Sequence, residues 1–170
     1  SGYWASGTFD QLKSTISAAY ATNRRVRNVY DGQGLLRYSV NSQGVATRLE
    51  YNTAGRLTQT IIIAGAISTT DFSYDNVKAL ANAVANGTND RLSSVAYNTR
   101  GQIASSTDAG GLTTYFTYDN MGQVIKTVAG DRATRNWYTQ KGEVRFSVDA
   151  EGFVTEHNYD ALGQVTNTIR

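Results

Sequence analysis

Glycine falls on a fixed metre in this chain, and that metre limits the folds open to it. Gly34, Gly44 and Gly55 are spaced 10 and then 11 residues apart, and the same intervals recur in Gly101, Gly111 and Gly122 and again in Gly142, Gly152 and Gly163. Nine of the sixteen glycines lie on this ladder, so composition alone does not place them. Four residues ahead of alternate glycines stands a tyrosine: Tyr30, Tyr51, Tyr97, Tyr118, Tyr138 and Tyr159. An acid or its amide follows in Asp31, Asn52, Asn98, Asp119 and Asp160, with Thr139 the one departure, and Asn41, Asp108 and Asp149 hold the matching place in the intervening turns. An Asp/Asn-x-x-Gly tetrad suits a type I turn whose first side chain accepts backbone N–H groups. The glycine that closes it takes a positive φ that other residues adopt only under steric strain.

Between the turns the residues alternate in polarity with a period of two, as strands do and helices do not. Val144, Phe146 and Val148 alternate with Glu143, Arg145 and Ser147; Val45, Thr47, Leu49 and Tyr51 with Ala46, Arg48 and Glu50; Leu112, Thr114, Phe116 and Tyr118 with Thr113, Tyr115 and Thr117. The pattern predicts a mainly β fold, an antiparallel β-hairpin repeat array in a curved meander sheet, with one buried face that the pre-turn tyrosines share. The absence of proline agrees, because proline removes a ladder donor.

Two stretches break the rhythm and predict short α-helices. Thr8-Phe9-Asp10-Gln11 has the form of a capping box, with Phe9, Leu12, Ile16 and Ala19 on one face. Ser73 to Asn86 places Val77, Leu80, Ala81 and Val84 inward, with Gly87 as the stop. Phe9-Asp10-Gln11-Leu12-Lys13 matches Tyr74-Asp75-Asn76-Val77-Lys78, and Gly34 and Gly55 both recur 67 residues on. A unit of helix plus hairpins is therefore duplicated, and the third copy lacks the helix. The expected division is a helix-containing unit over 1–90 and regular hairpins over 91–170, within one continuous repeat domain.

Composition removes several function classes. With no cysteine there are no disulfides, thiolate metal sites or cysteine nucleophiles, and a lone histidine excludes a multi-histidine centre. A net charge of +2 does not point to nucleic acid or a membrane as the main partner. The longest apolar run, Ile61 to Ile67, is far below the roughly 20 residues of a membrane span. The start at Ser1-Gly2, without methionine or a leader pattern, reads as a piece of a larger protein.

The motifs Tyr30-Asp31-x-x-Gly34, Tyr118-Asp119-x-x-Gly122 and Tyr159-Asp160-x-x-Gly163, with degenerate copies between them, resemble the YD repeats of the RHS family over roughly residues 25–60 and 91–170. The resemblance implies β-hairpin arrays that wind into a hollow shell, which in bacteria encloses a toxic C-terminal polypeptide and in animals occurs in teneurin adhesion proteins. It also implies a secreted or cell-surface setting, the rest of a parent repeat protein as partner, and carbohydrate binding as a role proposed for such repeats. The family's self-cleaving core, rich in Asp, Pro and Gly, has no counterpart here, so neither autoproteolysis nor a toxic segment is assigned to these residues.

No cofactor, metal or catalytic residue is expected. His157 falls on the face shared by Phe153 and Tyr159 but has no identifiable catalytic partner, and packing accounts for it. The aspartates recur at turns, where capping accounts for them. Asp149-Ala150-Glu151-Gly152 lacks the alternating oxygen ligands of a calcium loop, so calcium between adjacent turns is the weaker reading. Asn86-Gly87-Thr88 matches a glycosylation sequon but reads as a helix stop; Gly110-Gly111 lies on the turn ladder with no phosphate-loop lysine after it; Arg24, Arg25 and Arg27 form too short a basic run for a nucleic-acid track. Tyr115 and Trp137 are the exception, falling on the face opposite the pre-turn tyrosines with Arg135 close by. They are the candidate ligand-binding residues, set against cover by another segment of the parent. The first expectation is a non-enzymatic wall segment of a secreted or surface bacterial repeat protein; the alternative is an adhesion module for carbohydrate or a partner protein. Self-association through open sheet edges is expected of an isolated segment.

Overall fold

The structure, a computed structural model, describes residues 25–170. The helix expected over Thr8 to Ala19 lies outside the described residues. The rest is an antiparallel meander whose twelve strands follow one another in the sheet in chain order. They are β1 (Val26–Tyr30), β2 (Leu36–Asn41), β3 (Val45–Tyr51), β4 (Leu57–Ala66), β5 (Arg91–Tyr97), β6 (Ile103–Thr107), β7 (Thr113–Tyr118), β8 (Val124–Ala129), β9 (Arg132–Tyr138), β10 (Val144–Val148), β11 (Val154–Tyr159) and β12 (Val165–Ile169). One helix, α1 (Tyr74–Val84), stands between β4 and β5. The expected mainly β hairpin array is the fold observed.

The turns are built as their sequence demands. All nine ladder glycines have φ between 72° and 91°. In each turn the glycine N–H donates to the carbonyl three residues back, as from Gly34 to Asp31 at 3.0 Å and from Gly163 to Asp160 at 3.1 Å. The first side chain accepts two further N–H groups: Asp119 Oδ1 takes those of Met121 and Gln123, both at 2.9 Å. Thr139 does the same work with its single hydroxyl at 3.2 and 3.3 Å, a looser turn.

Tyrosine marks every second turn for a reason that spacing does not reveal. The Tyr51 hydroxyl donates to the Leu36 carbonyl at 2.9 Å, Tyr97 to Leu57 at 2.9 Å, Tyr118 to Ile103 at 2.8 Å, Tyr138 to Val124 at 2.8 Å and Tyr159 to Val144 at 2.8 Å. Each acceptor is the second residue after the glycine of the preceding tyrosine-type turn. Each of these five phenols thus ties its own hairpin to the one before it. The strand that leaves a tyrosine-type turn also carries a register shift: Val29 pairs with Tyr38, but Tyr30 pairs with Leu36. The same shift occurs at Tyr97, Tyr118, Tyr138 and Tyr159. The intervening turns at Asn41, Asp108 and Asp149 close without one.

Two compact units divide the chain: one holds residues 60–91 together with those up to Arg56, and the other holds Leu57–Gln59 with Leu92–Arg170. The first unit contains a closed core of Val29, Tyr38, Val40, Ala46, Ile61, Ile63, Ile67, Val77 and Ala81, each at most 8% exposed. Val77 and Ala81 enter it from α1, with Tyr74, Leu80 and Val84 packed around them. Gly65 lets the helix approach, since a Cβ there would stand 2.6 Å from the Val84 Cβ. The helix is shorter than Ser73 to Asn86 and does not stop at Gly87: Ala85 is already extended at φ −62° and ψ 137°. Gly87 has no left-handed backbone, and residues Asn86 to Asp90 form a separate turn in which the Asp90 N–H reaches the Asn86 carbonyl at 2.8 Å.

The buried face is also not the expected one. Val29 is 3% exposed and Tyr30, its neighbour on the opposite face, is 53% exposed. The helix therefore covers the face that the pre-turn tyrosines turn away from. In β3 the alternation itself holds, with no shift in its pairing to β2, and the position of α1 selects the Ala46 face; the register shifts each add a residue just after a tyrosine-type turn and reset the alternation only beyond it.

Candidate functional site

In the second unit the cross-strand register assembles an aromatic and basic surface. Tyr115 pairs with Val128 and Val128 with Ala133; one step along, Thr117 pairs with Lys126 and Lys126 with Arg135. Trp137 lies two residues beyond Arg135 on the same face and pairs with Phe146 on β10. Tyr115 is 57% exposed, Trp137 49% and Phe146 37%. None of them belongs to the tyrosine-latch face, so the sequence assignment of Tyr115 and Trp137 to the opposite face agrees with the register.

Arg135 and Trp137 meet at an open concavity of about 550 Å³, whose wall includes Lys126, Met121, Asp119 and Gln140. Tyr115 shares the face but does not line it. The sequence reading missed Lys126 and Phe146. Strict alternation placed Phe146 with the pre-turn tyrosines, and the shift around Arg145 turns it to the Trp137 side. A tetrad rule that adds one residue after each tyrosine-type turn recovers both. Arg145 borders this region, donating to Glu156 at 2.7 Å and to the His157 carbonyl at 2.8 Å, with its guanidinium 5.3 Å from the Phe146 ring centroid.

The surface offers stacking planes and cations. His157 is half-buried with Nδ1 3.3 Å from the Thr168 hydroxyl. Among the described residues no cluster of three or more His, Asp or Glu side chains is placed to hold a metal ion. Among them, too, no helix is long and apolar enough to cross a membrane.

The remaining named residues are the turn ladder itself. Asp31, Asn52, Asn98, Asp119 and Asp160 each cap their turn through Oδ1. The turns touch one another along the strand ends: Arg100 reaches the Asp119 carbonyl at 3.4 Å and Lys141 the Ala161 carbonyl at 3.3 Å. Their arrangement is architectural.

The family description RHS Repeat matches residues 30–67 and 97–134. No curated protein matches the sequence. Among solved structures, the TcdB2-TccC3-Cdc42 crystal structure superposes with a TM-score of 0.68 at 16% identity, over 97% of this chain and 8% of that one. The TcdB2-TccC3 crystal structure gives 0.66 at 17% identity, with 97% and 8% covered. The Tc holotoxin pore of Photorhabdus luminescens gives 0.62 at 17% identity, with 84% and 7% covered. At these identities the likeness is one of fold. The chain spans less than a tenth of the length of these neighbours.

Proposed function

We propose that the chain, which matches the RHS Repeat family over residues 30–67 and 97–134, is a structural wall segment of a larger toxin-associated repeat protein, secreted or displayed at a bacterial surface, and that it is not an enzyme. The observation that supports this most strongly is the latch series. Five phenols fasten five successive hairpins to their predecessors, and each hairpin is closed by the same turn. Such a device repeats without limit and makes a wall rather than a pocket. Its contribution is spread over many modest hydrogen bonds, each worth about 0.5–1.5 kcal/mol net. In this reading the parent encloses or presents a separate polypeptide, and the work of the segment is to remain closed. Limited proteolysis of the parent tests it. The enclosed polypeptide resists cleavage until the wall is opened by denaturant, whereas cleavage at the rate of a free chain in the intact protein contradicts the proposal.

A second reading rests on the concavity at Arg135 and Trp137. An indole with two cations beside it can stack on a sugar ring and hold its hydroxyls, which makes an adhesion module. Binding on a glycan array that disappears in Trp137→Ala supports it.

A further inference from the structure

The exposed face of β9 to β12 repeats, position for position, the face that α1 covers in the first unit. Gly34, Gly44 and Gly55 recur as Gly142, Gly152 and Gly163, each 108 residues on. The local structure follows the same offset. Tyr51 latches to Leu36 as Tyr159 does to Val144, and Arg37 donates to Glu50 as Arg145 does to Asn158. Carried across by this offset, the core positions Val29, Tyr38, Val40, Ala46 and Ile61 become Trp137, Phe146, Val148, Val154 and Ile169. All five remain apolar. The first set is at most 8% exposed, whereas Trp137, Val154 and Ile169 are each about half exposed.

The middle copy shows that this is no general property of the repeat. At an offset of 67 the same core positions become Ala96, Ser105, Thr107, Thr113 and Val128, in which four of the five are small or polar. Only the copies beginning at Gly34 and Gly142 present an apolar seat.

We infer that the face formed by Trp137, Phe146, Val148, Val154 and Ile169 is a docking seat for an amphipathic helix of the α1 type, carried by polypeptide that follows Arg170 in the parent protein. Three features fix that occupant. The same offset carries α1 itself past Arg170, so the counterpart helix falls outside the 170 residues of the sequence. Arg27, which stacks 4.2 Å over Phe72 just ahead of α1, has the exposed Arg135 as its counterpart, ready to receive an aromatic residue ahead of the second helix. Arg48, which donates to the α1 residue Asn82 at 3.3 Å, is replaced by Glu156. The second helix therefore brings a donor where α1 brings an acceptor. Val29 and Ala46 give way to the larger Trp137 and Val154, so the new helix presents small residues there, as α1 does with Ala81. This inference rests on the internal repeat and is independent of the wall proposal.

The test supplies the helix. Residues 62–87 of this chain are appended after Ile169 in a Trp4→Phe background, which leaves Trp137 as the single indole. A matched tail carries aspartate at its counterparts of Val77 and Ala81. With the native tail, Trp137 emission moves to the blue and acrylamide quenching falls severalfold, while the aspartate tail leaves both unchanged. A further Phe146→Ser change, at a side chain already 37% exposed, removes the effect of the native tail and spares the fold by circular dichroism. Equal quenching with both tails overturns the inference. So does Trp137 burial that rises with protein concentration without any tail, which assigns the face to a second copy, and so does protection by a sugar in the untailed chain, which assigns it to a ligand.

Discussion

The two units are written in one hairpin grammar and held together differently. Among the described residues, all nine buried apolar side chains lie in the helix-bearing unit, while twelve of the fifteen large exposed ones lie in the other. In the second unit no described residue is fully buried. The first unit has a small conventional core, in which each fully enclosed aliphatic side chain contributes about 1.5–3 kcal/mol. The second depends on turn closure and phenol latches, which are numerous and individually weak. Equal strand geometry therefore does not imply equal distribution of stability. One helix of eleven residues accounts for the contrast.

The sharpest way to break that contrast is to trim one β-branched side chain to alanine in each unit. Ile63 is fully buried, and Ile63→Ala is expected to cost about 2–5 kcal/mol in denaturant unfolding, because the enclosing side chains relax only partly around the gap. Val128 on β8 is only half-buried, and Val128→Ala is expected to cost under about 1 kcal/mol. Similar losses at both sites would mean that the second unit has a core of its own.

Turn substitutions reverse the ranking, and with a smaller effect. Gly142 has φ 89°, and a Cβ there would stand 2.8 Å from Gln123 Nε2. Gly142→Ala is expected to cost about 1–2 kcal/mol through backbone strain alone. In the same turn Thr139→Asn replaces the long hydroxyl bonds by the tighter Oδ1 cap of the Asn98 turn and leaves its amide to donate to Glu143, which now accepts from the Thr139 hydroxyl at 2.8 Å, a gain of about 0.5–1 kcal/mol. Amide hydrogen exchange across β8 to β10 reads both effects locally. A gain from Thr139→Asn that appears only in the helix-bearing unit would contradict the assignment.

The turns were legible in the sequence because their chemistry is local: four consecutive residues supply the cap, the bend and the positive φ. Strand positions followed from the same metre. Which face is buried was not legible, because it depends on two non-local facts. The register shift after each tyrosine-type turn flips parity, which is why Phe146 was placed with the wrong neighbours. The position of α1 relative to β1 and β2 then chooses the face that Val29, Tyr38 and Val40 occupy, and no window of sequence contains both partners. The helix end was misjudged for a related reason. Asn86-Gly87 has the composition of a left-handed stop, yet Asp90 accepts the Asn86 N–H at 3.0 Å and draws the chain into its own turn first. Of the candidate binding residues, Trp137 and Tyr115 stood out as aromatics on the wetter face, whereas Lys126 joins Arg135 only through pairing between β8 and β9.

Alkaline titration gives the smallest effect and isolates the first unit. Burial pushes the Tyr38 phenol above its usual value, with the nearby Arg48 acting in the opposite sense. The folded state therefore holds the Tyr38 proton more tightly than the unfolded chain does. Between the unfolded value, about 10, and the higher folded one the native state binds more protons, so stability falls as pH rises through that window and is unaffected below it. Tyr38→Phe removes the titrating group and keeps the ring that packs 6.2 Å from Tyr74. The variant is expected to lose less stability than the parent chain between neutral pH and the alkaline side of that window. The difference should show in exchange at β1 and β2, which pack against α1. An equal alkaline loss in both proteins would place the titrating group elsewhere, and would remove Tyr38 as the marker that separates a unit with a core from one without.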